Sequence, residues 1–353
     1  MLETRLRKNI RIQRLFNKTM EKMKSICPYI NNSILAASNK FGTKSEFAES
    51  YKWYPTNCEM EKECKKQDQV AIKKIPLPRD ELKYYLEPNS YNALGYETWA
   101  EVESMKLCNI LLENYVCPNL PLLVYAQICD NCIYVKKKLR SLGSSCLLIA
   151  SELAVEDLKT WSAKDRSEEE WLSCYFQIFV GIYAIQKYWN MIHNDLHWGN
   201  ILVHKVPKKQ EYVKYTIDGL DYYLKNTGFQ FVLWDFGKAY IPGKMGRKRT
   251  KMIKRKWYVK DYNRISEMAY WAKKHNRVKV PKSIINLAKE LDAAAKHETL
   301  LEEVIPEFFF DVYKEKPDKS VVEKYSLDKS ISLNVKSNNF VNSIFDHMQV
   351  YKR

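Results

Sequence analysis

His193-Asn194-Asp195-Leu196-His197-Trp198-Gly199-Asn200 is the stretch on which the fold assignment turns. It sets an aspartate and an asparagine five positions apart, behind a long apolar run and ahead of a strand-like triplet, Ile201-Leu202-Val203. Asp195 can accept or orient a hydroxyl proton, and the amide oxygen of Asn200 can ligate a hard cation. His193 at the head of such a loop is more often a packing and hydrogen-bonding residue than an acid or base. An H-x-D-x-x-x-x-N pattern between a helix and a strand is a strong signal for a loop that carries chemistry.

Two further motifs flank it in a fixed order. Val70-Ala71-Ile72-Lys73 is a strand whose lysine can reach phosphates, although an exposed strand lysine would read the same in isolation. Trp234-Asp235-Phe236-Gly237 ends the strand Phe231-Val232-Leu233 and offers Asp235 to a metal ion. Phosphoryl transfer from ATP needs a cation on the phosphates, metal ligands, a carboxylate for the acceptor hydroxyl and a cover against water. Lys73, then Asn200 with Asp235, then Asp195 meet the first three. The fourth is weaker. Asn39-Lys40-Phe41-Gly42-Thr43-Lys44-Ser45-Glu46-Phe47 holds one glycine, Gly42, and Cβ atoms restrict how closely such a loop approaches phosphate.

Length and composition agree with a two-lobed globular chain. The 353 residues are 46% hydrophobic and 28% charged. The longest uncharged stretch, Trp171 to Gln186, is shorter than the ~20 residues of a membrane span. No apolar signal segment opens the sequence, so an intracellular protein with no transmembrane segment is expected. Nine scattered cysteines suit reduced thiols better than a disulfide framework, and Cys129-Asp130-Asn131-Cys132 reads as a turn between strands. The net charge of +16 implies an acidic partner. It concentrates in Arg5 to Lys24, with apolar residues at roughly helical spacing, and in Lys244 to Lys256, which includes Arg247, Lys248 and Arg249. Such runs fit an acidic or phosphorylated protein substrate, nucleic acid or an anionic membrane surface.

Along the chain, strands are expected at Ile30 to Ala37, Val70 to Ile75, Leu120 to Ile128, Cys132 to Leu139 and Ser145 to Leu153. One helix, about Tyr91 to Asn114, interrupts them. Helices then dominate: Glu168 to Trp189, opened by three glutamates, then Lys260 to Lys274, Pro281 to His297 and Leu300 to Tyr313. A hairpin is expected about Asp218-Gly219-Leu220-Asp221. The class is α+β, strand-rich first and helix-rich second.

With these motifs in order, the chain resembles the protein-kinase superfamily. It is most similar to serine/threonine kinases of large nucleocytoplasmic DNA viruses. Val116-Cys117-Pro118-Asn119-Leu120-Pro121-Leu122-Leu123, the His193–Asn200 loop and Gly228 to Gly237 carry the viral likeness. The resemblance implies a bilobal kinase-like fold, with a small β-rich N-lobe bearing one long helix and a larger helical C-lobe. The expected boundaries are a basic helical extension at 1–29, N-lobe at 30–152, C-lobe at 153–315 and a polar tail at 316–353. It implies ATP with Mg2+, or Mn2+ in its place, and a viral protein acting in host cytoplasm or virion. It also implies a glutamate partner for Lys73, with Glu101 ahead of Glu103 and Glu97. Adenine should be met by Glu152, Leu153 and Ala154, and Asp261 should brace the catalytic loop.

Departures from the family pattern bear on substrate and control. Asn194 stands where many protein kinases have an arginine that pairs with a phosphorylated activation loop. Only 26 positions separate Asp235 from Asp261, so a short segment without phosphorylation control is expected. His197 replaces the lysine that protein-serine kinases use near the γ-phosphate, and kinases of small molecules share the His-x-Asp-Leu-His string. His197, Lys244, Arg247, Lys248 and Arg249 are the substrate-proximal candidates. A serine/threonine protein kinase is expected first, a small-molecule or lipid kinase second, and a non-catalytic basic scaffold third.

Overall fold

The computed structural model describes residues 5–7, 10–12, 27, 48–53, 69–84, 93–134, 137–140, 142, 144–207, 211–245, 255–318 and 320–331. The strand expected at 30–37, the loop around Gly42, Arg247, Lys248 and Arg249, and the tail beyond 331 lie outside them. The chain divides into two compact units. One is 3–106 with 122–153 and 332–353; the other is 1–2, 107–121 and 154–331.

In the first unit, β1 (Glu49–Trp53), β2 (Val70–Leu77), β4 (Ser145–Glu152) and β3 (Leu123–Cys129) form an antiparallel sheet in that order. β2 and β4 are central, and β4 is buried along its whole length, as its nearly continuous apolar run requires. Helix α1 (Glu97–Glu113) starts after a 3-10 turn at Ala93–Gly95, later than expected.

Two expectations fail here. Cys132 to Leu139 is not a strand: Asn131 turns the chain with φ 54°, Cys132 N donates to Ser144 O at 2.7 Å, and a helical turn follows at Lys137–Arg140. Nor are all the cysteines reduced. Cys132 is bonded to Cys146, and Cys27 to Cys129, which faces Cys146 across the ladder. Cys132 and Cys146 are 14 positions apart, whereas Cys27 and Cys129 are 102 apart. Cys108, Cys117 and Cys174 are buried thiols outside these two disulfides.

In the second unit, helix α2 (Glu168–Trp189) is the spine, with 14 buried residues. Ser167 caps it: Glu170 N donates to Ser167 Oγ, and Ser167 N donates to the Glu170 carboxylate. Asn190 ends it in the left-handed conformation. Trp171, Tyr175, Phe176 and Phe179 pack against Trp161, Tyr262, Phe309 and Tyr313, with ring centroids 5.0–6.1 Å apart. Helices α3 (Arg255–Ser266) and α4 (Met268–His275) replace the single helix expected over 260–274. The break falls where the Tyr175 hydroxyl donates to Ser266 O and the Ser266 hydroxyl donates to Asn263 O. Helices α5 (Lys282–Lys296) and α6 (Leu301–Tyr313) follow closely on expectation.

Two small sheets complete this unit. β5 (Glu156–Asp157), β6 (Ile201–Lys205) and β9 (Phe229–Leu233) form an antiparallel sheet in that order, with β6 following directly on the His193–Asn200 loop. β7 (Tyr212–Ile217) and β8 (Leu220–Lys225) form the expected hairpin, and β10 (Val321–Ser326) joins β7 in parallel from the polar tail. Asp328 then caps the hairpin turn, accepting from the N–H groups of Asp218 and Gly219. Gly219 has φ +79°, a value that favours glycine.

Buried Asn119 ties these parts together. Its amide donates to Gln177 Oε1 and Phe231 O at 2.9 Å, its oxygen accepts from Tyr215, and its carbonyl accepts from Leu233 N. A Cβ at Gly181 would lie 3.1 Å from the Asn119 carbonyl, so the glycine lets α2 approach.

Candidate active site

Strand alternation turns Lys73 and Lys74 to opposite faces of β2. Lys73 Nζ donates to both oxygens of Glu101 at 2.8 Å, and the pair is 13% and 3% exposed. Glu103, one of the alternatives, pairs instead with Lys106. A lysine so fixed is aimed rather than mobile. Glu152 ends β4, and its carboxylate is gripped in fork geometry by Arg5, whose Nε donates at 2.8 Å. Its side chain is therefore committed to the N-terminal segment, and Leu153 and Ala154 run on half-buried beyond the strand.

The His193–Asn200 loop is assembled within the other unit. Asp261, buried on α3, accepts from His193 N at 2.7 Å and from Asn194 N at 2.8 Å. Burial pushes its carboxyl up to about 7, while the two amides pull the other way. His193 Nε2 lies 2.8 Å from Trp234 O; the carbonyl can only accept, so this nitrogen carries the hydrogen. Its Nδ1 has no hydrogen-bond partner among the described residues. Burial holds the ring below its usual pKa, and it packs 4.6 Å from the Phe236 ring. His193 is a spacer between two functional segments.

Asn194 takes φ 64°, a conformation that asparagine tolerates, and its amide donates to Lys238 O. Asn200 Nδ2 donates to Asp195 O at 3.0 Å, which orients the amide and leaves Oδ1 as the atom that could accept from or ligate a further group. Trp234 N donates to Asn200 O at 2.8 Å, so Asn200 and Asp235 emerge side by side from β6 and β9. Asp235 is also left-handed, at φ 63°, a strain of roughly 1–3 kcal/mol that persists only where surroundings impose it.

His197 does not extend outward from the loop. Its Nδ1 accepts from Gly199 N at 3.0 Å, and a Cβ at residue 199 would lie 2.9 Å from the ring. A larger residue at 199 would force the His197 ring to shift. Lys244 sits exposed in the turn that closes at Met245. Among the described residues no three His, Cys, Asp or Glu side chains converge as a metal centre. Asn200 Oδ1 and Asp235 still fit Mg2+, which takes few protein oxygens and completes its octahedron with phosphate and water. No described helix is long and apolar enough to cross a membrane.

The haspin-like kinase domain model matches residues 11–252, 242 of the 353 positions. The chain belongs to the haspin-like kinase family. Two curated relatives of this kinase domain are viral. It is 31% identical over 141 residues to the probable serine/threonine-protein kinase 380R of Invertebrate iridescent virus 6, covering 38% of this chain and 26% of that protein. It is 30% identical over 121 residues to the provisionally named serine/threonine-protein kinase 019R of Frog virus 3 (isolate Goorha), covering 34% of this chain and 14% of that one. The aligned part is thus about a quarter or less of each relative's length.

Sequence reasoning missed three residues near the haspin-like motifs. Lys238, directly after Asp235-Phe236-Gly237, places Nζ 2.8 Å from Asp195 Oδ2, and its adjacency to that motif was the available signal. Arg5 lies 147 positions from Glu152, with no local signal. Lys74 is wholly buried, 3.6 Å from Glu49, with the Tyr51 and Tyr134 rings about it.

Proposed function

We propose that this haspin-like kinase transfers the γ-phosphate of ATP, with magnesium, to serine or threonine hydroxyls of protein substrates. The observation that carries the reading is the catalytic loop, in which Asp261 fixes the backbone behind Asp195 while Asn200 is turned to present its oxygen. Lys73, held by Glu101, binds phosphate oxygens. Asp195 aligns the acceptor hydroxyl and takes its proton as the new O–P bond forms and the bond to the leaving diphosphate breaks. Asn200 and Asp235 would hold Mg2+, which supplies charge neutralisation on the phosphates when bound. Manganese, with the same preference for oxygen, would substitute.

Adenine would lie against the chain at Glu152, Leu153 and Ala154, with backbone atoms making the contacts because the Glu152 carboxylate is taken by Arg5. Gly42 would belong to the cover. Lys244 and the basic run Arg247, Lys248 and Arg249 favour an acceptor with acidic or phosphorylated neighbours. The experiment is incubation with γ-labelled ATP and parallel panels of basic and acidic proteins, peptides, and small alcohols including lipids. Label in serine or threonine of protein is expected. Label only in a small product would replace the protein-kinase reading with a small-molecule or lipid kinase, and no label with any acceptor would favour the scaffold.

A further inference from the structure

The loop from Asp195 to Asn200 has no lysine or arginine, and its histidine is spent on the loop itself. His197 Nδ1 accepts the Gly199 N–H, so that edge of the ring is turned back into the loop. Phosphoryl transfer at such a centre still concentrates negative charge on the moving group, where a fixed cation is worth most. One described ammonium group touches Asp195: Lys238 Nζ, 2.8 Å from Oδ2.

Its position is set by the backbone on both sides. Asn194 Nδ2 donates to Lys238 O, Ala239 N donates to Phe236 O, and Ile192 and Tyr240 exchange two backbone hydrogen bonds at 2.9 and 2.8 Å. The segment after Gly237 is therefore stitched to the segment before Asp195, and the lysine backbone is fixed beside the carboxylate. It remains half-exposed, so a phosphate oxygen can reach it. An acceptor hydroxyl aligned by Asp195 must lie within about 3–3.5 Å of the phosphorus it attacks. An ammonium on the same carboxylate stands beside that path.

We propose that Lys238 is a catalytic residue that binds the transferring phosphate and supplies the fixed lysine or arginine cation that the 195–200 loop itself does not carry. Lys238 stays protonated throughout; the acceptor proton goes to Asp195. This rests on the phosphotransfer reading, and the test separates the two. Binding of a non-hydrolysable ATP analogue and of ADP, each with Mg2+, is measured by calorimetry on the full chain, with single-turnover transfer on the same samples. The variants are Lys238→Met, Lys238→Arg, and Lys296→Met as a control on exposed α5 charge.

For Lys238→Met the affinity for the analogue should fall about tenfold, ADP affinity should stay within twofold, and transfer should drop by roughly 10²–10³. Lys238→Arg should recover part of both losses, and Lys296→Met should match wild type. An unchanged analogue-to-ADP ratio with transfer within threefold overturns the assignment and leaves the kinase reading intact, and so does faster transfer by Lys238→Met. Equal loss of both nucleotides in Lys238→Met, with normal values in Lys238→Arg, would mean a structural ion pair and also overturns it. A wild type that binds neither nucleotide removes the phosphotransfer reading itself.

Discussion

The two units bury polarity by different means. The sheet unit holds charges inside: Lys73 with Glu101, Lys74 with Glu49 among tyrosines, and Arg5 with Glu152, beside two disulfides. The helical unit packs aromatic rings about α2 and binds backbone groups with neutral or singly placed buried polar side chains, Asp261 and His193 wholly so and Asn119 in part. A charge that must meet phosphate is best held by a counter-charge, which aims it without neutralising it. A loop that must present Asp195 at one angle is better held by backbone amides bonded to a single carboxylate. The first arrangement fixes a side chain, and the second fixes a backbone.

The largest test of that contrast is Lys73→Ala. It leaves the Glu101 carboxylate at 3% exposure without its lysine, and equilibrium unfolding should lose about 3–5 kcal/mol. A loss under about 1 kcal/mol, the worth of a surface pair, would mean that the pair is not a buried one in solution. Joint replacement of Cys132 and Cys146 by serine opens a link spanning 14 positions and should cost ~3 kcal/mol. Insensitivity of the melting curve to this change would remove covalent bonding from the contrast. In the helical unit, Ser167→Ala deletes the capping hydroxyl and should cost ~1 kcal/mol, read by urea midpoint.

The smallest effect is a pH dependence with two opposing parts. Burial raises Asp261, so its contribution is present below its ordinary value of 3.8 and is lost as pH rises through about 7. Burial lowers His193, so its contribution is present above 6.5 and is lost as pH falls. As pH falls below 6.5 the two slopes oppose one another. His193→Gln keeps a donor for Trp234 O and removes one slope, so its stability should decline more with rising pH there than the wild type's does. Parallel pH profiles for the two proteins would refute the assignment.

Much of this was legible because the signals were local. The α2 span, the 218–221 hairpin and the 193–200 loop each lie within a short window where spacing and turn residues speak directly. Lys74 was not legible: it follows Lys73 in sequence, and only the pleat sends one to Glu101 and the other into the core. Cys27 and Cys129 are 102 positions apart, and Arg5 and Glu152 are 147 apart; no window contains either pair. Asn119, within the segment that suggested viral kinases, became intelligible only when β9, α2 and Tyr215 met around it.

The account stands on Asp195 acting in transfer rather than in folding or nucleotide binding. The direct measurement is labelled phosphate transfer by wild type and Asp195→Asn, with nucleotide affinity determined on the same samples. The prediction is affinity within threefold and transfer reduced by about 10²–10⁴. Undiminished transfer by Asp195→Asn would contradict it.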